Sequence, residues 1–298
     1  MTHCLDDNYV VYHLHSHYSN GTTNIDSITK PQQYINKAKE LGMSSIGFSE
    51  HGNIFAWYKK KKTVEEAGMK YIHAIEAYIT ANTDIGNKSR DNYHCVLIAK
   101  NTDGLKELNE LTSLSFNKKD IHFYYVPRIT YDELKNTSDN IIITTACLGG
   151  ILNKASDELQ QDFIKFLAKN NHRCYLEIQH HKIQEQKEYN LKLWEISKKT
   201  SVPLIAGTDT HCLDEVDVEG RKLLQKRKKI SFPDEDGFDL TFKSYEELIE
   251  AYSDQNCLPK QIYLDAIKET VRLAEAVTEY DIDDSVKYPQ LYAHPEKV

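Results

Sequence analysis

Short apolar runs alternate with longer helix-patterned segments from Tyr9 to Lys228, and this alternation leaves few folds open. Strands are expected at Tyr9–Leu14, Ser45–Ser49, Tyr71–Ile79, His94–Ala99, Ile141–Thr145, Cys174–Gln179 and Pro203–Ala206. Helices are expected at Pro31–Leu41, Phe55–Ala67, Asp103–Ser115, Asp157–Lys169, Glu185–Lys199 and Val216–Lys228. Pro31 suits a first turn, and Gly42 and Gly68 are natural stops. Two further helices are expected near Tyr245–Tyr252 and Lys260–Val277. Such a pattern calls for a parallel sheet with helical crossovers. At 298 residues a barrel is favoured over an open sheet. The polar stretch Asn82–Asn92 reads as a loop. Ser231–Asp239 reads as a boundary, dividing a barrel over 1–235 from a C-terminal helical extension over 236–298.

The apolar runs carry metal-binding side chains at or near their ends. His13 and His15 close the first run, and Asp209 and His211 follow the last. On a strand, residues i and i+2 share a face, so each pair can reach one ion or two adjacent ions. Paired imidazoles are poor core material, because each ring has two nitrogens to satisfy. Glu76 lies within an apolar run, where a cation is its best partner. Cys147 follows Ile141–Ala146 and would suit a zinc-like ion as thiolate. His94 opens its run instead of closing it. Without ligation, Asp209 would cap the next helix and His211 would lie at the surface.

Composition sets bounds. The formal charge of −8 argues against a large basic face for duplex DNA, although carboxylate-rich metal sites inflate that count. No run of about 18 apolar residues occurs, so no membrane span is expected. The first residues lack a basic region followed by an apolar one, so a cytoplasmic chain is expected. The six cysteines show no paired short spacing and read as free thiols.

The segments HLHSHYSNG, FSEHGN, NYHCVLIAKN, YYVPRI, ACLGG, CYLEIQHH and GTDTHCL occur in that order. Together they resemble the polymerase and histidinol phosphatase (PHP) family, over residues 9 to 285. The resemblance is strongest to the PHP domain at the N-terminus of bacterial DNA polymerase III alpha subunits. It implies a distorted seven-stranded (β/α)7 TIM-like barrel with a short C-terminal helical appendage. It also implies up to three metals held by nine side chains. Eight positions match: His13, His15, His51, Glu76, His94, Cys147, Asp209 and His211. The ninth is usually an Asp in the loop after His-x-His. Here that loop is short and offers Asn20, with His17 as an alternative donor nearby. Glu50 replaces an Asp that is usually no ligand, and is expected to orient an imidazole.

The resemblance implies hydrolysis of DNA phosphodiester bonds, as a 3′→5′ exonuclease linked to replication. Glu76 and Asp209 would bridge the ions, and with His211 they form the expected catalytic set. Two or three divalent cations are expected; mixed N, O and S donors favour Mn, Zn or Fe, with Mg possible. Arg128, in YYVPRI, is a candidate phosphate clamp. Single-stranded DNA or DNA 3′ ends would be the substrate, and replication polymerase components the partners. The basic runs Lys59–Lys62 and Arg221–Lys229 could help hold a strand, and the second is dense enough for a backbone contact provided it lies on the metal rim. Two other functions stay open: a phosphomonoesterase of the histidinol phosphatase type, and a non-catalytic N-terminal part of a split polymerase with structural metals. Asp281, Asp283 and Asp284 resemble a palm motif but read as linker, so polymerisation by this chain alone is not expected.

Overall fold

The computed structural model describes residues 9–21, 25–84, 89–230, 237–286 and 288. After a short 3₁₀ turn at His17–Asn20, the chain forms α1 (Pro31–Glu40), β1 (Ser45–Phe48), α2 (Trp57–Glu66), β2 (Lys70–Thr80) and β3 (Tyr93–Ala99). Then come α3 (Thr102–Ser115), β4 (Phe123–Tyr124), β5 (Val126–Thr130), α4 (Tyr131–Lys135), β6 (Ile141–Thr144) and α5 (Ile151–Lys154). The remainder is α6 (Asp157–Lys169), β7 (Cys174–Gln179), α7 (Gln184–Thr200), β8 (Leu204–Gly207), α8 (Glu215–Lys228), α9 (Tyr245–Gln255) and α10 (Lys260–Ala276).

The wall runs β1-β2-β3-β6-β7-β8, and residues 9–15 join its two ends. Val11 bridges to Ile46 of β1, and Leu14 bridges to Thr210 just beyond β8. The segment is extended, as expected, yet it makes isolated bridges and not a continuous ladder. Hydroxyl groups take several of its ladder positions. Val10 N–H donates to Thr270 Oγ1 (2.9 Å) and Leu14 N–H to Ser49 Oγ (3.0 Å). Seven extended segments therefore enclose the core, an α/β barrel distorted from a regular ladder.

The sheet is not wholly parallel. β3 runs antiparallel to both β2 and β6. Between β2 and β3 the polar connection of residues 81–92 has no crossover helix among its described residues, and the antiparallel pairing turns the chain back. This reversal puts the beginning of β3 at the rim where the other strands end. It explains why His94 opens its run.

Beside the barrel, β5 extends the edge of β2 (Tyr78 opposite Arg128) and β4 folds back on it through Tyr125. The opposite end of the barrel is covered by α10 and the segment after it. Lys70 Nζ donates to the carbonyls of Ala274 (2.7 Å) and Val277 (2.9 Å), and Tyr280 OH donates to Ala99 O (2.8 Å). Apolar residues of α9 and α10 belong to the same buried cluster as the strands. Asp281 to Asp284 are irregular, and Asp284 meets Lys62 at 3.4 Å on the surface. No helix among the described residues is long and apolar enough to cross a membrane.

Candidate metal centre

Glu76, fully buried near the end of β2, is the hub of the rim. Its Oε1 lies 3.0 Å from His94 Nδ1, 3.4 Å from His13 Nε2 and 3.7 Å from Cys147 Sγ. Its Oε2 lies 2.7 Å from His51 Nδ1 and 3.4 Å from His15 Nε2. Asp209 closes the other side, with Oδ1 3.3 Å from both His13 Nε2 and His15 Nε2 and 3.7 Å from His211 Nδ1. The His15 ring stacks on His51 (4.1 Å) and His211 (4.4 Å). All eight side chains carried over from the resemblance thus meet in one place.

The backbone is shaped for this convergence. Asp209 (φ 46°) and Ala146 (φ 54°), the residue before Cys147, occupy the left-handed region that non-glycine residues avoid. Gly207 must lack a side chain, since a Cβ there would lie 2.1 Å from Glu177 Oε1.

Several ring orientations are set from behind. His13 Nδ1 meets Glu177 Oε1 at 2.6 Å, which turns Nε2 toward the centre. Glu177 also accepts from Tyr12 OH (3.0 Å) and Thr144 Oγ1 (2.7 Å). A carboxylate behind an imidazole fixes its tautomer and raises its basicity. Sequence reasoning missed Glu177, although a carboxylate inside the apolar strand CYLEIQ is the same signal that marked Glu76. His211 Nδ1 lies 2.8 Å from the Asp209 carbonyl, which leaves Nε2 free.

The donors fit cations better than they fit one another. His13 Nε2, His15 Nε2, His51 Nδ1, Glu76 Oε2 and Asp209 Oδ1 are buried without a hydrogen-bond partner. Three groupings place all their donor atoms within 4.8 Å of each other: His15, His51 and His211; His13, His15 and Asp209; His51, Glu76 and His94. That spacing suits ligands about 2.0–2.2 Å from a shared ion. Without cations, protons do the balancing. Burial opposes an imidazolium at His51, yet the Glu76 carboxylate overrides it and lifts the pKa to about 9. Burial and the neighbouring carboxylates keep Cys147 a neutral thiol.

The remaining expected residues fare differently. Asn20 does not face the centre. Its Oδ1 accepts from the backbone N–H of Asp26 (2.8 Å) and Ser27 (2.9 Å), and its Nδ2 donates to Ser27 O (2.8 Å). An amide so occupied is a loop staple, not a ninth ligand. The carboxylate it positions is Asp26, which is buried and raises the His51 pKa. Asp26, six residues beyond Asn20, is not among the residues read from the sequence.

His17 turns outward with the 3₁₀ turn and orients no ligand. Glu50 contacts no imidazole directly. It accepts from Ser19 Oγ (2.6 Å), and Ser19 Oγ lies 3.0 Å from His15 Nδ1, so its orienting effect passes through a hydroxyl. Arg128 is only 1% exposed, and its guanidinium donates to the carbonyls of Ser89 (3.1 Å) and Ile121 (3.0 Å). It ties loops to β5 and cannot clamp a phosphate. In the second basic run, Arg221 Nε donates to Asp26 O (2.6 Å). Lys226–Lys229 lie about 20 Å along α8 from its rim end. Cys95, Cys147, Cys174, Cys212 and Cys257 are free thiols, and Cys4 lies outside the described residues.

A family model described as PHP domain matches residues 12–181. DNA polymerase III subunit alpha of Borreliella burgdorferi is 32% identical over 289 residues, covering 92% of this chain and 24% of the relative. The Aquifex aeolicus subunit is 35% identical over 230 residues, covering 72% and 19%. The Helicobacter pylori subunit is 28% identical over 303 residues, covering 93% and 24%. The chain thus spans about a quarter or less of the length of these relatives.

Proposed function

The chain belongs to the PHP family, and from that premise we propose that it is a metal-dependent phosphoesterase that hydrolyses DNA phosphodiester bonds from the 3′ end. The observation that carries this reading is the set of five buried, unpartnered donor atoms gathered around Glu76 and Asp209. A protein that did not bind cations there would leave those atoms with only one another's charge to offset their desolvation.

Bound divalent cations would supply a water acidic enough to deprotonate near neutral pH and positive charge for the phosphate oxygens. The chain's own groups prepare for this. Glu76 and Asp209 would provide the anionic anchors for the cations. His13, His15, His51, His94, Cys147 and His211 complete the donor set. Glu177 and Ser19 hold two of the imidazoles in register. The mixed donors favour Mn, Zn or Fe, with Mg possible. The substrate is then single-stranded DNA or a DNA 3′ end, and replication polymerase components are the partners.

One specific observation favours a second reading. The relatives matched are polymerase subunits of which this chain spans a quarter or less, so the centre would instead hold structural metals in the N-terminal part of a polymerase. One assay separates the readings. The metal-loaded chain is incubated with 3′-labelled single-stranded DNA and with a chromogenic phosphomonoester, alongside Asp209→Asn. DNA degradation that the variant loses is the expected result. Turnover of the monoester alone would indicate a phosphomonoesterase, and bound metal without turnover would indicate the structural role.

A further inference from the structure

Immediately outside the centre, a cavity of about 250 Å³ opens between the beginnings of α1 and α2. His17, Tyr18, Lys30, Gln32, Lys59 and Lys60 contribute to its walls, and no carboxylate does. Lys59, of the basic run expected to help hold a strand, sits in the first turn of α2 and lines this cavity. It lies eight residues beyond His51, and His17 lies two beyond His15. Asn53 ties wall to centre, since its Nδ2 donates to both Tyr18 O (3.1 Å) and His51 O (2.9 Å).

The cavity has the chemistry of an anion site. Lys60 is committed to Glu50 at 3.0 Å, but Lys30 and Lys59 form no ion pair among the described residues. His17 Nδ1 is buried without a hydrogen-bond partner. α1 presents its beginning to this space through Lys30, Pro31 and Gln32, and α2 lines it with the flank Ala56, Lys59, Lys60 and Thr63. Phe55 precedes Ala56 of the cavity wall in the chain; its ring lies 6.3 Å from that of Phe116, and 51% of its surface is exposed. Unpaired lysines beside an exposed aromatic ring are what a single strand needs, charge for its backbone and a face for its bases.

We propose that this cavity binds a backbone phosphate of a single nucleic-acid strand, one neighbouring the scissile phosphate, while Phe55 stacks on a base. A free phosphate or small monoester would use the lysines and leave Phe55 without a role. The assignment of a neighbouring scissile phosphate rests on the phosphodiesterase reading. The strand-binding site itself does not, so it is tested without metal.

Fluorescence anisotropy of a fluorescein-labelled octathymidylate, titrated with the full chain in EDTA over a series of salt concentrations, provides the test. The double variant Lys30→Ala/Lys59→Ala should bind about tenfold more weakly or worse. Its slope of log affinity against log salt should fall by about 0.7, the value for one phosphate contact on a single strand. Phe55→Ala should weaken binding about tenfold with the slope unchanged. The control Lys226→Ala/Lys228→Ala, equal in charge but on α8, should bind like the parent. Absence of binding by the parent, parent-like binding by the cavity variant, or equal loss in the control would overturn the proposal. A chain that binds the strand through this cavity and yet hydrolyses nothing would retain the site and refute only the phosphodiesterase reading.

Discussion

Glu50 and Glu76 are both fully buried at the same rim, and they solve the problem of a buried carboxylate in opposite ways. Glu50 is satisfied by the protein. It accepts from Ser16 N (2.9 Å), Ser16 Oγ (2.5 Å) and Ser19 Oγ (2.6 Å), and pairs with buried Lys60 at 3.0 Å. Burial raises its pKa, but Lys60 and the hydroxyls outweigh that and bring it to about 2. Glu76 is surrounded by imidazoles that also hold it ionised, yet its Oε2 has no hydrogen bond even with His51 Nδ1 at 2.7 Å. Burial therefore says little about role. The state of the last lone pair separates a structural carboxylate from one built for a cation.

The largest expected effect follows at Glu76. Glu76→Gln removes the shared anion from the centre, and phosphoester hydrolysis should fall about thousandfold or more, some 4 kcal/mol of barrier. Thermal unfolding gives a second measure. The parent should gain about 2.7 kcal/mol of stability at a cation concentration one hundred times Kd, and the variant should gain none. Undiminished metal-induced stabilisation in Glu76→Gln would break the contrast between the two carboxylates.

Glu50→Gln should do the reverse, costing stability whether or not metal is present. It leaves Lys60 buried without its counter-ion, a loss of about 3–5 kcal/mol in urea unfolding. The acid limb carries the same information. Because the folded pKa is depressed, this stabilisation is present above the unfolded value near 4.5 and is lost as pH falls toward about 2. It amounts to about 3 kcal/mol at neutral pH. The variant should lack that part of the acid slope, and an unaltered slope would assign the slope to other carboxylates.

Strand ends and the eight converging side chains were legible in the sequence because apolar runs are local signals. What lay outside local reading was direction and distance. The reversal of β3 is a property of its antiparallel pairing with β2 and β6, which explains His94 only after the sheet is assembled. Asn20 is taken up by the backbone of Asp26 and Ser27, an occupation that its spacing from His15 does not reveal. Arg128 sits in a conspicuous short segment, but its burial depends on carbonyls from Ser89 and Ile121. Glu177 is readable by the same rule as Glu76, a carboxylate in an apolar strand.

The smallest expected effect tests whether the two carboxylates are independent. Ser19 Oγ donates its only proton to Glu50, so its lone pairs are left to accept from His15 Nδ1–H (3.0 Å) and from the His51 backbone N–H (3.1 Å). One hydroxyl thus links the satisfied carboxylate to two of the rim imidazoles. Ser19→Ala removes that link while keeping the Glu50–Lys60 pair. Metal affinity, measured by competition with a chromophoric chelator, should fall about 10–100-fold. Stability without metal should fall by only about 1 kcal/mol. Loss of affinity with the fold intact would make Glu50 a positioning residue that acts through Ser19. Unchanged affinity would confine Glu50 to holding Lys60, and His15 would be oriented by its stacking on His51 and His211 alone.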